Sequence, residues 1–310
     1  MINSEPSTQL NLYVHHKLLD NFINLYNDKR LPNKILLSGE KGIGKATLAY
    51  HLINYVLSIN EDSSYDKKNY RINNENRSYK LIQNKINPNF YLLDIAKDKK
   101  NIDIDQIRDL IIDLNKSSFN SKPRFVLIDN IEYLNINSIN ALLKILEEPN
   151  ENINFILINN NKKILPTLKS RCLDFKVSFS YKKSIEIINQ LVGTNIFELV
   201  NKEIMNNYVT PGQIFELLKY SKDQKIDLKN NSLKEFLLLA IENKIYKKEK
   251  SINELLYYLI ELYFRNNLSI KKTYLIDLYF YFSKKINSVK KYNLDVESLY
   301  IEFEDKVLNG

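Results

Sequence analysis

The fold class of this chain is decided by Gly39-Glu40-Lys41-Gly42-Ile43-Gly44-Lys45, which follows an apolar run at residues 34–38 and precedes a helical pattern. A strand, a glycine-rich loop and a helix in this order are the context that a phosphate-binding loop requires. The glycines let consecutive backbone N–H groups point at phosphate oxygens, the helix N-terminus adds partial positive charge, and the lysine reaches the β and γ oxygens. The phosphate-binding residues predicted from this loop are Gly39, Gly42, Gly44 and Lys45.

The position that follows the lysine departs from the pattern of an ATP-hydrolysing site. A Ser or Thr hydroxyl normally binds Mg²⁺ there, whereas this chain has Ala46. Thr47 comes next and points to another side of the helix, and it is kept as a candidate for nucleotide binding. The sequence therefore leaves ATP binding open and predicts at most weak binding of Mg²⁺.

A second part of the site is predicted at the end of the apolar run 124–128. Asp129 follows this run, and a carboxylate at the C-terminal end of such a strand lies beside the Mg²⁺ of a P-loop site. The next residue is Asn130, where ATPases of this kind usually have a glutamate that orients the attacking water. An amide cannot act as a general base. Because of its position at the strand end, Asp129 is predicted to contact nucleotide. Because Asn130 cannot activate water, hydrolysis by this chain alone is predicted to be absent.

Short apolar runs alternate with amphipathic segments in the first half of the chain, which is typical of a parallel sheet covered by helices. After residue 178 only helical patterns follow. The segment 58–87 is polar, has no clear period and is predicted to be a mobile surface insertion. The predicted strands are 34–38, 90–94, 124–128, 154–158 and 173–177, and the predicted helices of this half are 46–56, 105–114 and 138–147, the last stopped by Pro149.

These patterns predict three parts. The first is an α/β P-loop domain at 1–178, with a parallel sheet flanked by helices. A small helical lid domain at 179–222 and an all-α C-terminal oligomerisation domain at 223–310 are predicted to follow it.

Composition excludes several classes of protein. Cys172 is the only cysteine among 310 residues, so neither a disulfide scaffold nor a cysteine-based zinc site is expected, and a reducing cytoplasm suits the chain. No signal peptide or membrane span is predicted from the sequence. The net charge of +8 suits nucleic acid or an acidic protein as partner. Because the lysines are spread evenly, a solvated surface explains this charge equally well.

Two stretches make the sequence more specific: LLKILEEP at 142–149, and Ser170-Arg171-Cys172. Residues 124–172, which contain both, resemble the AAA+ clamp-loader family. The resemblance implies an AAA+ fold for the P-loop domain. It also implies that Arg171 is an arginine finger, which acts in trans on ATP bound by a neighbouring subunit. A guanidinium supplied across an interface can stabilise charge on the γ-phosphate.

The same resemblance gives a common explanation for Ala46 and Asn130, the residues that differ from those of an ATP-hydrolysing site. Some subunits of this family have degraded ATP sites, and the resemblance implies such a subunit here. Its phosphate sensor would be Asn159 or Asn160, either of which could bind phosphate or cap a turn, and Asn159 is taken as the site residue. Near Gly212, where motor subunits carry an arginine, this chain has none. No zinc is expected, because 58–87 holds no cysteine.

The function implied by the resemblance is that of a largely non-catalytic clamp-loader subunit in a replicative DNA polymerase complex. Its partners would be gamma or tau and delta subunits, the sliding clamp and, through the complex, primer–template DNA, with no membrane. One alternative is an ATP-hydrolysing motor subunit like gamma or tau, against which Ala46 and Asn130 argue. The other is a P-loop nucleotide switch unrelated to replication, against which the sequences at 142–149 and 170–172 argue.

Overall fold

The structure, a computed structural model, divides into two compact units, Met1–Phe179 and Ser180–Gly310. It describes residues 5–95, 99, 101–117, 120–147, 152–205, 209–247, 250–268, 273–292 and 294–309. The predicted end of a helix at Pro149 lies outside these residues.

The first unit is built on a sheet of five parallel strands in the order β2-β3-β4-β1-β5. All five predicted strands are confirmed, with ends that differ by no more than one residue. Their bounds are β1 Lys34–Ser38, β2 Phe90–Leu93, β3 Arg124–Ile128, β4 Ile153–Asn159 and β5 Leu173–Lys176.

Helices cover both faces of this sheet, and the strands are apolar throughout because both faces are buried. Side chains alternate between faces along a strand, so Ile35 and Leu37 pack with α1 and α2, whereas Leu36 packs with α4, α5 and α6. The helices of the unit are α1 His16–Asn27, α2 Lys45–Leu57, α3 Arg77–Gln83, α4 Ile104–Asn115, α5 Ile136–Glu147 and α6 Pro166–Lys169.

Helix α1 was not predicted from the sequence. Its N-cap residue is His15, which has a left-handed backbone (φ 66°) and makes no side-chain capping bond. A helix that begins without a Ser, Thr, Asp or Asn cap lacks the usual start signal. Leu19, Phe22 and Ile23 nevertheless bury one face of α1 in the core.

The segment 58–87 contains α3 and packs onto the core, so its prediction as a purely surface insertion is wrong, whereas its mobility stays a prediction. Tyr65, Ile72 and Ile82 are buried in the same cluster as α1 and α2. Asn76, which is fully buried, caps α3 by accepting a hydrogen bond from the backbone N–H of Tyr79 at 2.9 Å.

Polar contacts hold the same insertion to the rest of the unit. The carboxylate of Glu61 accepts hydrogen bonds from the Ser78 hydroxyl at 2.6 Å and from the Lys122 ammonium at 3.3 Å. The imidazole of His51, which is fully buried on α2, contacts the Tyr65 hydroxyl at 2.9 Å. Buried polar groups of this kind are paired, and a sequence does not distinguish them from solvated ones.

The second unit is helical, which confirms the predicted fold class of an α/β P-loop domain followed by helices. A capping box begins the helix Leu233–Glu242, where Ser232 and Glu235 bond each other's backbone N–H groups. Its helices are α7 Tyr181–Val192, α8 Lys202–Met205, α9 Pro211–Gln224, α10 Leu233–Glu242, α11 Lys250–Asn267, α12 Thr273–Tyr292 and α13 Val296–Phe303.

One cluster of buried side chains runs through this unit from Ile188 to Leu308. The further division into a lid at 179–222 and an oligomerisation domain at 223–310 stays a prediction. Across the described part of the chain, we find no helix with the length and apolarity needed to cross a membrane.

The packing of the insertion leads to a stability prediction. Ile72 is 1% exposed, whereas Ile86, in the same segment, is 64% exposed. Ile72→Ala should lower the free energy of unfolding by about 2–5 kcal/mol, because it leaves a cavity in a packed core. The matched control Ile86→Ala should change it by less than about 0.5 kcal/mol. Urea denaturation of both variants measures the difference, and equal small effects would mean that the segment does not pack as described.

Candidate functional site

The loop 39–45 connects β1 to α2 and needs glycine at three positions. Gly42 and Gly44 have left-handed backbones, with φ of 84° and 87°, which a side chain would strain. A Cβ on Gly39 would lie 2.3 Å from the carbonyl oxygen of Val177. The loop therefore has the tight curvature that its glycines predict, and at Gly39 it lies against the backbone that follows β5.

Lys45 is buried, with 3% of its surface exposed, and its ammonium is bonded to the protein itself. Its Nζ donates to the carbonyl oxygens of Gly39 at 2.8 Å and Glu40 at 2.6 Å, and to Oδ1 of Asn160 at 3.0 Å. Burial lowers the pKa of Lys45 to about 8, against the opposing effect of Asp129 and other nearby carboxylates. Three protein oxygens thus satisfy the ammonium of Lys45, and its contact with a phosphate stays a prediction.

Asn130 and Asn160 link the carboxyl ends of three strands. Asn130 follows β3 and donates from Nδ2 to the carboxylate of Asp94, after β2, at 3.0 Å. Asn160 follows β4 and donates from its own Nδ2 to Oδ1 of Asn130 at 2.8 Å and to Glu132 at 2.9 Å. The two amides therefore form a chain of hydrogen bonds that leads from Asp94 to Lys45.

This network explains why an amide suits position 130. A carboxylate there would face those of Asp94 and Glu132, which repel it, and it could not donate a hydrogen bond to either. Asn130 also has a left-handed backbone, with φ of 57°, which asparagine tolerates better than most residues. The site is organised around a neutral bridging group at the place where hydrolysis requires a base.

Asp129 directly follows β3, beside this network. Its Oδ1 accepts the backbone N–H of Asn130 at 2.8 Å. Burial, assisted by the neighbouring carboxylate of Asp94, raises the pKa of Asp129 to about 6, while Lys45 acts in the opposite direction. Within the described residues, no group of three or more His, Cys, Asp and Glu side chains is arranged to hold a metal ion.

Of the two sensor candidates, the structure brings Asn160 to Lys45 and turns Asn159 away. Asn159 bonds the backbone of Lys162 through both ends of its amide, at 3.0 and 3.2 Å, and so closes a turn. The assignment of Asn159 as a phosphate-contacting residue stays a prediction, and the geometry favours Asn160. Thr47 lies half-buried on α2, and its nucleotide contact also stays a prediction.

Sequence reasoning missed His15, which supports the loop from the preceding segment. Its Nε2 lies 2.7 Å from the carbonyl oxygen of Ile43, so this nitrogen carries the proton and donates it. Burial lowers the pKa of His15, and the bond to Ile43 opposes that shift. No motif marks this residue. Asp94, by contrast, ends a predicted strand, and a carboxylate at the C-terminal end of a parallel strand is a recognisable candidate for a site residue.

Arg171 lies in the turn after α6 and does not contact the groups around Lys45. Its Nη1 donates to the carbonyl oxygen of Thr167 at 2.9 Å, and its Nη2 forms an ion pair with Glu147 at the end of α5. About 30% of the side chain is exposed. The neighbouring Cys172 is half-buried, and burial raises the pKa of its thiol to about 11, so it is protonated and unreactive at neutral pH.

Comparison with known proteins gives a family match over the first unit. The family model described as "DNA polymerase III, delta subunit" matches residues 14–180, which is more than half of the chain. This is the unit that contains the phosphate loop, Asp129 and Arg171.

Three curated relatives illustrate the range of similarity. DNA polymerase III subunit delta' of Pseudomonas aeruginosa is 32% identical over 44% of this chain and 40% of its own length. Subunit gamma of Buchnera aphidicola subsp. Schizaphis graminum is 29% identical over 67% of this chain and 56% of its own. Subunit delta' of that organism is 25% identical over 86% and 82%. The chain thus spans about half of the first two relatives.

The raised pKa of Asp129 leads to a pH-dependence prediction. Its folded-state pKa of about 6 exceeds the usual 3.8, so between these values the folded chain holds a proton that the unfolded chain releases, and stability falls as pH rises. Asp129→Asn removes this contribution. The stability of the variant relative to wild type should therefore rise between pH 4 and 6, by on the order of 2 kcal/mol. Urea denaturation across this pH range tests the prediction. A difference in stability between variant and wild type that does not change with pH would contradict the raised pKa of Asp129.

Proposed function

The chain belongs to the DNA polymerase III delta-subunit family, and on this premise we propose that it is a delta-prime-type clamp-loader subunit, which helps to assemble a sliding clamp on primed DNA. The observation that carries the proposal is the separation of Arg171 from the side chains around Lys45 within the first unit. Lys45 donates hydrogen bonds to Gly39 and Asn160 within the loop region, whereas Arg171 lies apart from these residues and is partly exposed.

The chain does not hydrolyse ATP by itself under this proposal. Hydrolysis requires a group that orients and activates water, and the amide of Asn130 is neutral and bonded at both ends. Ala46 supplies no oxygen to Mg²⁺. Glu132, the other nearby carboxylate, accepts hydrogen bonds from the Asn160 side chain and backbone. The network therefore supports a structural role for the site.

Nucleotide fits the loop as an optional ligand. Phosphate oxygens could replace the two carbonyls and the Asn160 amide that now accept from Lys45, and the glycine backbone is already curved for them. Asp129 is the residue best placed to approach Mg²⁺, and a single carboxylate without the usual hydroxyl would hold the ion weakly. We therefore expect the affinity of the loop for ATP to depend little on Mg²⁺.

Arg171 is the residue to which we assign chemistry, in trans. Its guanidinium would approach the γ-phosphate of ATP bound by a neighbouring gamma or tau subunit and stabilise charge there, so that hydrolysis depends on assembly. Delta, the sliding clamp and primer–template DNA complete the proposed partners. The helical unit would provide a lid at 179–222 and oligomerisation at 223–310. A cytoplasmic location belongs to the same proposal.

A motor subunit of the gamma type is the second candidate. The observation in its favour is the Buchnera gamma subunit, which is 29% identical over 67% of this chain. Ala46, Asn130 and the lack of an arginine near Gly212 argue against it. Steady ATP turnover by the isolated chain would favour this candidate.

The first prediction of this proposal concerns nucleotide binding to the isolated chain. Because Ala46 provides no hydroxyl, the Kd for ATP should change by less than about threefold between Mg²⁺ and EDTA. Ala46→Ser restores the hydroxyl at the same Cβ and should make binding tighter with Mg²⁺. Titration with a fluorescent ATP analogue measures both, and Lys45→Met serves as the non-binding control. A strong Mg²⁺ requirement in the wild type would show that another group holds the ion.

The second prediction concerns Arg171. In a complex assembled with the ATP-hydrolysing subunits, clamp and primed DNA, Arg171→Ala should lower the ATPase rate by about 10³-fold at one site, the scale for arginine fingers. Single-turnover kinetics are needed because other sites keep their own fingers. The isolated chain should show negligible turnover. If the variant complex loads clamps and hydrolyses ATP as fast as wild type, Arg171 has no role in trans.

A further inference from the structure

The two terminal nitrogens of Arg171 are each held by a different acceptor. Nη1 donates to the Thr167 carbonyl oxygen at 2.9 Å, and Nη2 is paired with the carboxylate of Glu147. Two bonds to separate elements fix both the position and the plane of a guanidinium. Among the described residues, these two acceptors take one N–H of each terminal nitrogen, out of the five N–H donors that an arginine carries.

Glu147 is carried on a rigid support, although its own side chain is 54% exposed. It is the last residue of α5, and Leu142 and Leu146 of this helix are fully buried in the same cluster as Leu168 of α6. The Lys34 ammonium, at the start of β1, donates to the carbonyl oxygen of Leu146 at 2.9 Å. The backbone that carries the Glu147 side chain is therefore fixed against the sheet and its core.

We propose that Glu147 is a positioning residue for Arg171, which holds the guanidinium in the orientation needed to meet the phosphate of a neighbouring subunit. This inference rests on the proposed trans role of Arg171. Glu147 touches no nucleotide under this proposal and acts only through the arginine.

The physical reason is the flexibility of the arginine side chain. A long side chain loses much rotamer freedom when it is fixed, and the loss opposes every interaction that it makes. An acceptor that fixes the side chain before assembly removes part of this cost from the later step. Because the pair is partly exposed, it contributes little to folding, and its loss should leave the chain folded.

The opposite role of the same contact would be competition. A carboxylate bound to the finger could instead hold it back from the phosphate, and its removal would then accelerate hydrolysis. Within the described part of the chain, Glu147 on one terminal nitrogen and Thr167 on the other use two of the five N–H donors, and this favours positioning.

The test uses the assembled complex with ATP-hydrolysing subunits, clamp and primed DNA. Glu147→Gln should lower the single-turnover rate at the site served by Arg171 by about threefold to tenfold, with the KM for ATP unchanged, because the interaction is made in the transition state. Glu147→Asp should recover part of the rate. In an Arg171→Ala background, Glu147→Gln should cause no further loss.

Lys169→Gln is the matched control. Lys169 lies on α6 two residues from Arg171 and pairs with Asp174 at 3.2 Å, so its substitution should leave the rate unchanged. Urea denaturation of each isolated variant should show a wild-type midpoint.

The outcomes separate this inference from the proposed function. If Arg171→Ala slows the complex and Glu147→Gln does not, or if Glu147→Gln accelerates it, only the positioning role is wrong. The same holds if Glu147→Gln causes an equal loss with and without the arginine. If Arg171→Ala itself has no effect, the trans role fails, and the positioning role fails with it.

Discussion

The rest of the site depends on the burial of the Lys45 ammonium. A charge taken out of water is costly unless hydrogen bonds replace those it loses, and here two loop carbonyls and the Asn160 amide replace them. Holding Asn160 in this way orients its amide nitrogen toward Asn130 and Glu132. The same requirement therefore shapes the phosphate loop and the ends of the neighbouring strands.

If the chain does not hydrolyse ATP by itself, as proposed, this arrangement gives a physical reason for the P-loop to persist. In an active site, a carboxylate after Asp129 would hold water; here the amide of Asn130 holds the Asp94 carboxylate instead. The network is satisfied by protein groups alone, so the fold does not require a bound nucleotide to pair these buried groups.

The placement of Arg171 follows a different principle. Its partners come from the turn of α6 and from the end of α5, and not from the phosphate loop. Under the proposed role in trans, Arg171 has to be partly exposed and yet held in place. The pair with Glu147 combines these two properties, because it leaves the guanidinium at the surface and restricts its motion.

The sequence by itself determined the five strands, the phosphate loop with its lysine, the Asp129 position and the resemblance that singled out Arg171. These features are local: alternation along strands, glycines at fixed offsets and short motifs can be recognised without knowing the fold. Only the tertiary structure brought Asn160 to Lys45, gave Asn130 its bridging role, paired Glu147 with Arg171 and packed the 58–87 segment onto the core. The reason is separation along the chain, since Lys45 and Asn160 are 115 positions apart, and a polar residue that will be buried and paired has the same sequence signature as one that stays in water.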